Sequence, residues 1–82
     1  MHPLNPLSKF AVGAKGRIAS FELPPETRQR LNEMGLTLGA ECTLVRIAPL
    51  GDPIEVRVRG YHLSLRKAEA AGILLASSVE QP

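Results

Sequence analysis

Tryptophan is absent from this 82-residue chain, and its only aromatic side chains are Phe10, Phe21 and Tyr61. Three scattered rings cannot supply the row of stacking surfaces on which a single-strand nucleic-acid binder lays successive bases. The core must instead be aliphatic, drawn from the Leu, Ile, Val and Ala within the apolar 44% of the sequence. Cysteine is as scarce: one thiol, Cys42, excludes an internal disulfide framework and suits a reducing compartment. No apolar run approaches the roughly 20 residues of a membrane span, and residues 1–9 lack the basic start and apolar centre of a signal peptide. A cytoplasmic location without membrane insertion is therefore expected. Excess charge is lacking too, since ten Lys and Arg stand against eight Asp and Glu for a net +2, a mild balance for a solvated surface and weak evidence for a polyanionic partner.

A chain this short folds as one domain, residues 1–82, and buries only about 60–65% of its unfolded surface, so the core is small. The ends, 1–6 and 77–82, are expected to be flexible.

Residues 42–58 are the most informative stretch. Residues 42–47 are rich in apolar and β-branched side chains, and Ile54, Val56 and Val58 then alternate with Glu55, Arg57 and Arg59 at the period of a half-buried strand. Between them Pro49 and Pro53 fix φ and push Ala48 and Asp52 towards extended geometry, while Gly51 can take a left-handed turn. These signals predict a β-hairpin closed by a stiff arch. Leu50, apolar at the tip, either packs back under the arch, the slightly favoured reading, or projects as a small binding anchor whose stiffness lowers the entropy cost of docking.

Elsewhere the spacing predicts a first strand over 17–21, with Arg17, Ala19 and Phe21 on one side and Ile18 and Ser20 on the other. A short helix follows, opened by Pro25 and Glu26 and closed near Met34 by Gly35, with Leu31 and Leu36 spaced for a Schellman contact. Glu26 and Arg30 form an i,i+4 pair. A strand over 61–65, a helical turn over 66–71 ended by Gly72, and a last strand over 73–76 complete the chain. Five short strands and an aliphatic core predict a mainly β fold. It is a small, partly open five-stranded barrel with one short helix between strands 1 and 2 and a short helical turn near the C-terminus.

Candidate chemistry is sparse. His2, Cys42 and His62 are the only soft metal ligands and share neither a helical face nor a close-spaced motif, so no metal site is expected. Cys42 is expected to be a buried thiol and His62 to face solvent. Ser8, Ser20, Ser64, Ser77 and Ser78 have no histidine base placed by motif, Glu22, Glu26 and Glu33 suit helix and turn positions, and no phosphate-binding glycine loop occurs. No catalytic residue and no cofactor is expected, and the chain is not read as an enzyme. Arg17, Arg28, Arg30, Arg46, Arg57, Arg59 and Arg66 could each be delivered into a partner's nucleotide site, but a solvated surface role takes precedence for all of them.

Four motifs in order carry a resemblance: Gly13 with Gly16-Arg17-Ile18; the run from Arg30-Leu31-Asn32-Glu33-Met34 to Gly35-Leu36-Thr37-Leu38-Gly39; Ala48-Pro49-Leu50-Gly51-Asp52-Pro53-Ile54; and Leu63-Ser64-Leu65-Arg66-Lys67-Ala68-Glu69-Ala70 before Ile73. The arrangement resembles the FeoA family, small cytosolic proteins of bacterial ferrous-iron uptake with an SH3-like barrel. It covers about residues 7–75. Cys42, where the family more often has a β-branched aliphatic residue, and residues 1–6 depart from the pattern. The same domain follows a DNA-binding domain in metal-dependent repressors, and nothing in this chain corresponds to one. The resemblance implies a partner of the FeoB-type membrane transporter, which carries a cytosolic GTP-binding domain, with no nucleic-acid partner and the oligomeric state left open.

On that reading the candidate partner-binding residues are Pro49, Leu50, Gly51 and Asp52 of the arch with Arg57 and Arg59. The two arginines are placed on the outward face of the third strand, close enough to the arch to steer an acidic patch. Two rival readings remain. One is a small basic barrel binding nucleic acid, prompted by the stretch Gly13-Ala14-Lys15-Gly16-Arg17-Ile18 and the arginine-bearing face of the third strand. The other is a direct Fe(II) chaperone, which the scarcity of ligands disfavours.

Overall fold

The computed structural model describes residues 4–77. The expectations for residues 1–3 and 78–82, including any role of His2 or Ser78, lie outside the described residues. Six strands, β1 (Leu4–Pro6), β2 (Lys15–Phe21), β3 (Glu41–Ile47), β4 (Ile54–Val58), β5 (Tyr61–Leu65) and β6 (Ile73–Ser77), form one antiparallel sheet. The helices are α1 (Pro25–Glu33) and α2 (Lys67–Ala71), and a short 3-10 turn covers Leu7–Lys9. The strand order is β1-β6-β2-β3-β4-β5, so the two outermost strands are not neighbours and the sheet stays open. Side chains from the 3-10 turn to the last strand, among them Leu7, Ile18, Leu44, Val56, Leu65 and Leu75, meet in a single buried cluster, so the sheet curls around its own inner face. That core is aliphatic apart from Cys42, with Phe10 and Phe21 at its margin.

The five strands read from the sequence are joined by a sixth. Leu4, Asn5 and Pro6 pair with Ala76, Leu75 and Leu74, so residues 4–6, expected to be flexible, are part of the sheet. Two features make this strand stable. Leu7, the next residue, is fully buried and pins the segment, and on an outermost strand the missing N–H of Pro6 disrupts no ladder.

The expected alternation in β2 breaks at a bulge. Register shifts between Ile18 and Ser20, so Ile18 opposes Leu75 while Phe21 opposes Ile73, and both side chains turn to the core side. Strict alternation had put them on opposite faces. A second bulge between Leu44 and Arg46 keeps Arg46 outward, opposite Glu55, instead of directing a cation inwards. Each extra residue also bends its strand, as a curled sheet requires.

Helix α1 buries Leu31 alone, consistent with a lid at the sheet's margin. Its end is a Schellman motif: Leu36 donates to the Leu31 carbonyl and Gly35 to that of Asn32, both at 3.0 Å, with Gly35 at φ +105°. Leu31 and Leu36 are both fully buried. A Gly35→Val chain is expected to lose about 1–2 kcal/mol, because a β-branched residue resists the left-handed region. For a domain this size that lowers Tm by about 4 °C or more, and an unchanged thermal melt would refute this account of the helix end.

Arg30 does not pair with Glu26. It reaches Glu69 of α2, tying the two helices together. Partial burial of Glu69 pushes its carboxyl up, but the Arg30 hydrogen bond and the Arg66 backbone N–H override this, and its pKa falls below the ordinary value. Gly72 ends α2 for a reason unlike that of Gly35. Its φ is −98°, and a side chain there would lie 2.7 Å from the Glu22 carbonyl oxygen, where the chain presses against the end of β2.

Candidate functional site

The hairpin of β3 and β4 closes through residues 48–53. The Ala48 N–H donates to the Pro53 carbonyl at 3.1 Å and the Gly51 N–H to the Ala48 carbonyl at 2.7 Å, with Gly51 at φ +89°. Asp52 then ties the arch to the body of the domain, its Oδ1 accepting the Lys67 backbone N–H at 3.0 Å. Lys67 opens α2, so that carboxylate satisfies a donor which no helical carbonyl can reach. Asp52 therefore braces the arch, a role that needs the distant α2 and has no local signal in the sequence.

Leu50 is 96% exposed at the tip of this braced loop. Of its two readings the structure has the projecting one. Ile47, the last residue of β3 at the foot of the arch, adds apolar surface at 38% exposure. A solvent-facing leucine on a loop held at three points has the form of a docking anchor, since little chain entropy remains to be lost when it binds.

Arg57 and Arg59 do not lie beside the arch. Arg57 is outward on β4, but Arg59 sits in the two-residue turn to β5, at φ +52° next to Gly60 at +88°, a pair of values that matches the right-handed twist of the strands. Its placement on the face of β4 is corrected accordingly. Ile54 adjoins the arch and Val58 the turn, so the length of β4, about 13 Å, separates Arg59 from the arch. The left-handed backbone of Arg59 is offset by its side chain: Nε donates to the Gly35 carbonyl at 3.3 Å and a terminal nitrogen to Thr37 Oγ1 at 2.8 Å. Arg57 and Arg59 instead border a groove of about 440 Å³ with Lys15 and Arg17, over Thr43 and Glu41. The six candidate residues thus divide between the two ends of β4. Sequence reasoning did not assign Lys15, Arg17 and Thr43 to this groove. The signal present was the basic stretch 13–18 and the arginine-bearing face of the third strand, which the sequence joins only under the nucleic-acid reading.

Cys42 is fully enclosed in the core, and burial pushes its thiol up to about 12, so it is inert at neutral pH. His62 is exposed on β5, opposite Arg57. Among the described residues no three His, Cys, Asp or Glu side chains are grouped to hold a metal ion. No helix among them is long and apolar enough to cross a membrane.

Comparison with known proteins places this architecture. A family model for the FeoA domain matches residues 5–77. The chain is 39% identical over 67 residues to an Fe(2+) transport protein A/Fe(2+) transporter FeoB fusion protein of Porphyromonas gingivalis. That match covers 82% of this chain but only 8% of the fusion protein's length. Among solved structures, a FeoA-like protein from Clostridium acetobutylicum superposes with a TM-score of 0.88 at 34% identity, covering 100% of this chain and 95% of that one. FeoA of Stenotrophomonas maltophilia, in complex with zinc and described as an SH3 domain protein and a candidate ferrous iron transport activating factor, gives 0.71 at 26% identity over 84% and 86% of the two chains. With a family match that runs from β1 to β6 and the same fold from end to end in a FeoA-like protein, this chain belongs to the FeoA family and has its mainly β, SH3-like fold.

Proposed function

We propose that this chain is a ferrous iron transport accessory protein that binds a FeoB-type transporter through its cytosolic GTP-binding domain and regulates it, carrying out no reaction itself. The observation that carries this reading is the braced arch, which holds Leu50 out in water with its neighbours Pro49, Gly51 and Asp52. A large apolar side chain held out by a stiff loop gains most when a partner covers it. The relative in which transport protein A and transporter FeoB form one chain supports a partnership of the two, since fusion raises the effective concentration of a pair. On this reading the protein works on the cytoplasmic side of the membrane, where the GTP-binding domain lies.

A pull-down against the GTP-binding domain of the transporter, with and without guanine nucleotide, tests the proposal. Capture that depends on the nucleotide state is expected. Failure to capture the domain in every nucleotide state, with the chain shown to be folded, would refute it.

A further inference from the structure

The groove at the other end of β4 has its own chemistry. On the outward face of the sheet, Lys15 and Arg17 stand two residues apart on β2, and Arg57 and Arg59 two residues apart on and just beyond β4. Register sets Lys15 opposite Thr43 and Thr43 opposite Arg57, so β3 runs between two columns of cations. The groove thereby collects four of the ten Lys and Arg residues and, in Glu41, one of the eight carboxylates. Six cations then face seven carboxylates over the rest of the chain. Neither Lys15 nor Arg57 pairs with a described carboxylate. Two of the guanidiniums are already oriented by the loop after α1: Arg17 donates to the Gly39 carbonyl at 3.0 Å, and Arg59 holds Gly35 and Thr37. A guanidinium carries five N–H donors, so both keep donors for a ligand.

We propose that this groove binds an extended acidic segment of a protein partner, whose carboxylates two residues apart meet Lys15 and Arg17 on β2, with Arg57 of β4 and Arg59 of the following turn on the other side. An extended chain advances about 6.6–6.8 Å per two residues, the same repeat that spaces Lys15 from Arg17. Four cations around the single carboxylate of Glu41, which lies opposite Arg17, leave an excess of like charge, and an anionic ligand relieves the remaining repulsion. The lining lacks the features by which a nucleic-acid base or a membrane would be held. It has no aromatic ring on which a base could stack, and its small residues Gly39, Ala40 and Gly60 give no apolar wedge to enter a membrane. The site does not depend on the arch or on the identity of the partner reached through Leu50.

The test is a titration of the isotope-labelled chain with a hexaglutamate peptide, followed by NMR amide shifts, with parallel titrations by inorganic pyrophosphate, single-stranded DNA and vesicles of phosphatidylcholine and phosphatidylserine. Saturable shifts are expected at residues 15–17, 41–43 and 57–60, weakening steeply with salt. The Lys15→Glu, Arg57→Glu double variant is expected to bind the peptide about tenfold or more weakly, and Leu50→Asp to bind it like the wild type. Lys15 and Arg57 are exposed and unpaired among the described residues, and Lys15→Gln with Arg57→Gln offers a milder replacement should the charge reversal disturb folding. The proposal is overturned if the peptide leaves these amides unmoved, if neither double variant weakens binding, or if pyrophosphate, DNA or vesicles saturate the same amides at lower concentration than the peptide.

Discussion

Leu50→Asp is expected to abolish capture of the transporter's GTP-binding domain while the free chain melts within about 4 °C of the wild type. The two halves of this result have separate causes. In the free protein Leu50 is 96% exposed, so removing its side chain exposes no core and forms no cavity. The arch is held by Ala48, Gly51, Pro53 and Asp52, none of which uses the Leu50 side chain. In the complex the same leucine would be covered, and replacing a central apolar anchor by a charge costs about 2 kcal/mol or more, about thirtyfold in affinity. Should the variant unfold, the arch contributes to the core in a way its exposure denies. Should it stay folded and bind normally, docking lies elsewhere, with α1 the next surface to test.

The second large effect is on alkaline stability. Burial raises the Cys42 thiol from an ordinary 9.0 to about 12, so the folded chain holds that proton more tightly than the unfolded chain. Well below pH 9.0 both states carry the proton and the thiol's contribution to stability is complete. Above it the unfolded state loses the proton first, unfolding releases one proton, and stability falls by about 1.4 kcal/mol per pH unit until the folded thiol titrates near 12. By pH 11 the loss amounts to about 2–3 kcal/mol, a large share of the stability of so small a domain. The measurement is a difference between two chains that share every other titrating group. Urea denaturation of the wild type and of Cys42→Ala across pH 8 to 11 is expected to give curves that converge as pH rises, the variant lacking the thiol's share of the slope. Parallel curves would show that the thiol is solvated when folded. Native inertness towards a thiol reagent at pH 8, with reaction only on unfolding, is the matching expectation.

Several parts of this protein were legible because their signals are local. The two prolines and Gly51 between alternating apolar residues announce the hairpin and its arch, and Leu31, Gly35 and Leu36 announce the helix end. The scarcity of aromatic residues announces an aliphatic core, and a lone cysteine within a β-branched run announces its own burial. Each follows from the steric limits of a few successive residues, or from the period at which a strand shows one face to the core.

Other features depend on residues far apart in the chain and left no local trace. Leu4–Pro6 become a strand because β6, some seventy residues later, offers an open edge. The bulges that bring Phe21 inward and keep Arg46 outward answer the curvature of the whole sheet. Arg30 prefers Glu69 to its neighbour Glu26, and Arg59 takes a left-handed turn because Gly35 and Thr37 stand within reach. The candidate site divides for the same reason. Exposure of Leu50 follows from how the arch is braced against α2, and the meeting of Lys15 and Arg17 with Arg57 follows from β3 pairing with both β2 and β4. The two-residue spacing of the cations is a property of each strand alone, but which strands lie side by side is settled only when the whole sheet buries its inner face together.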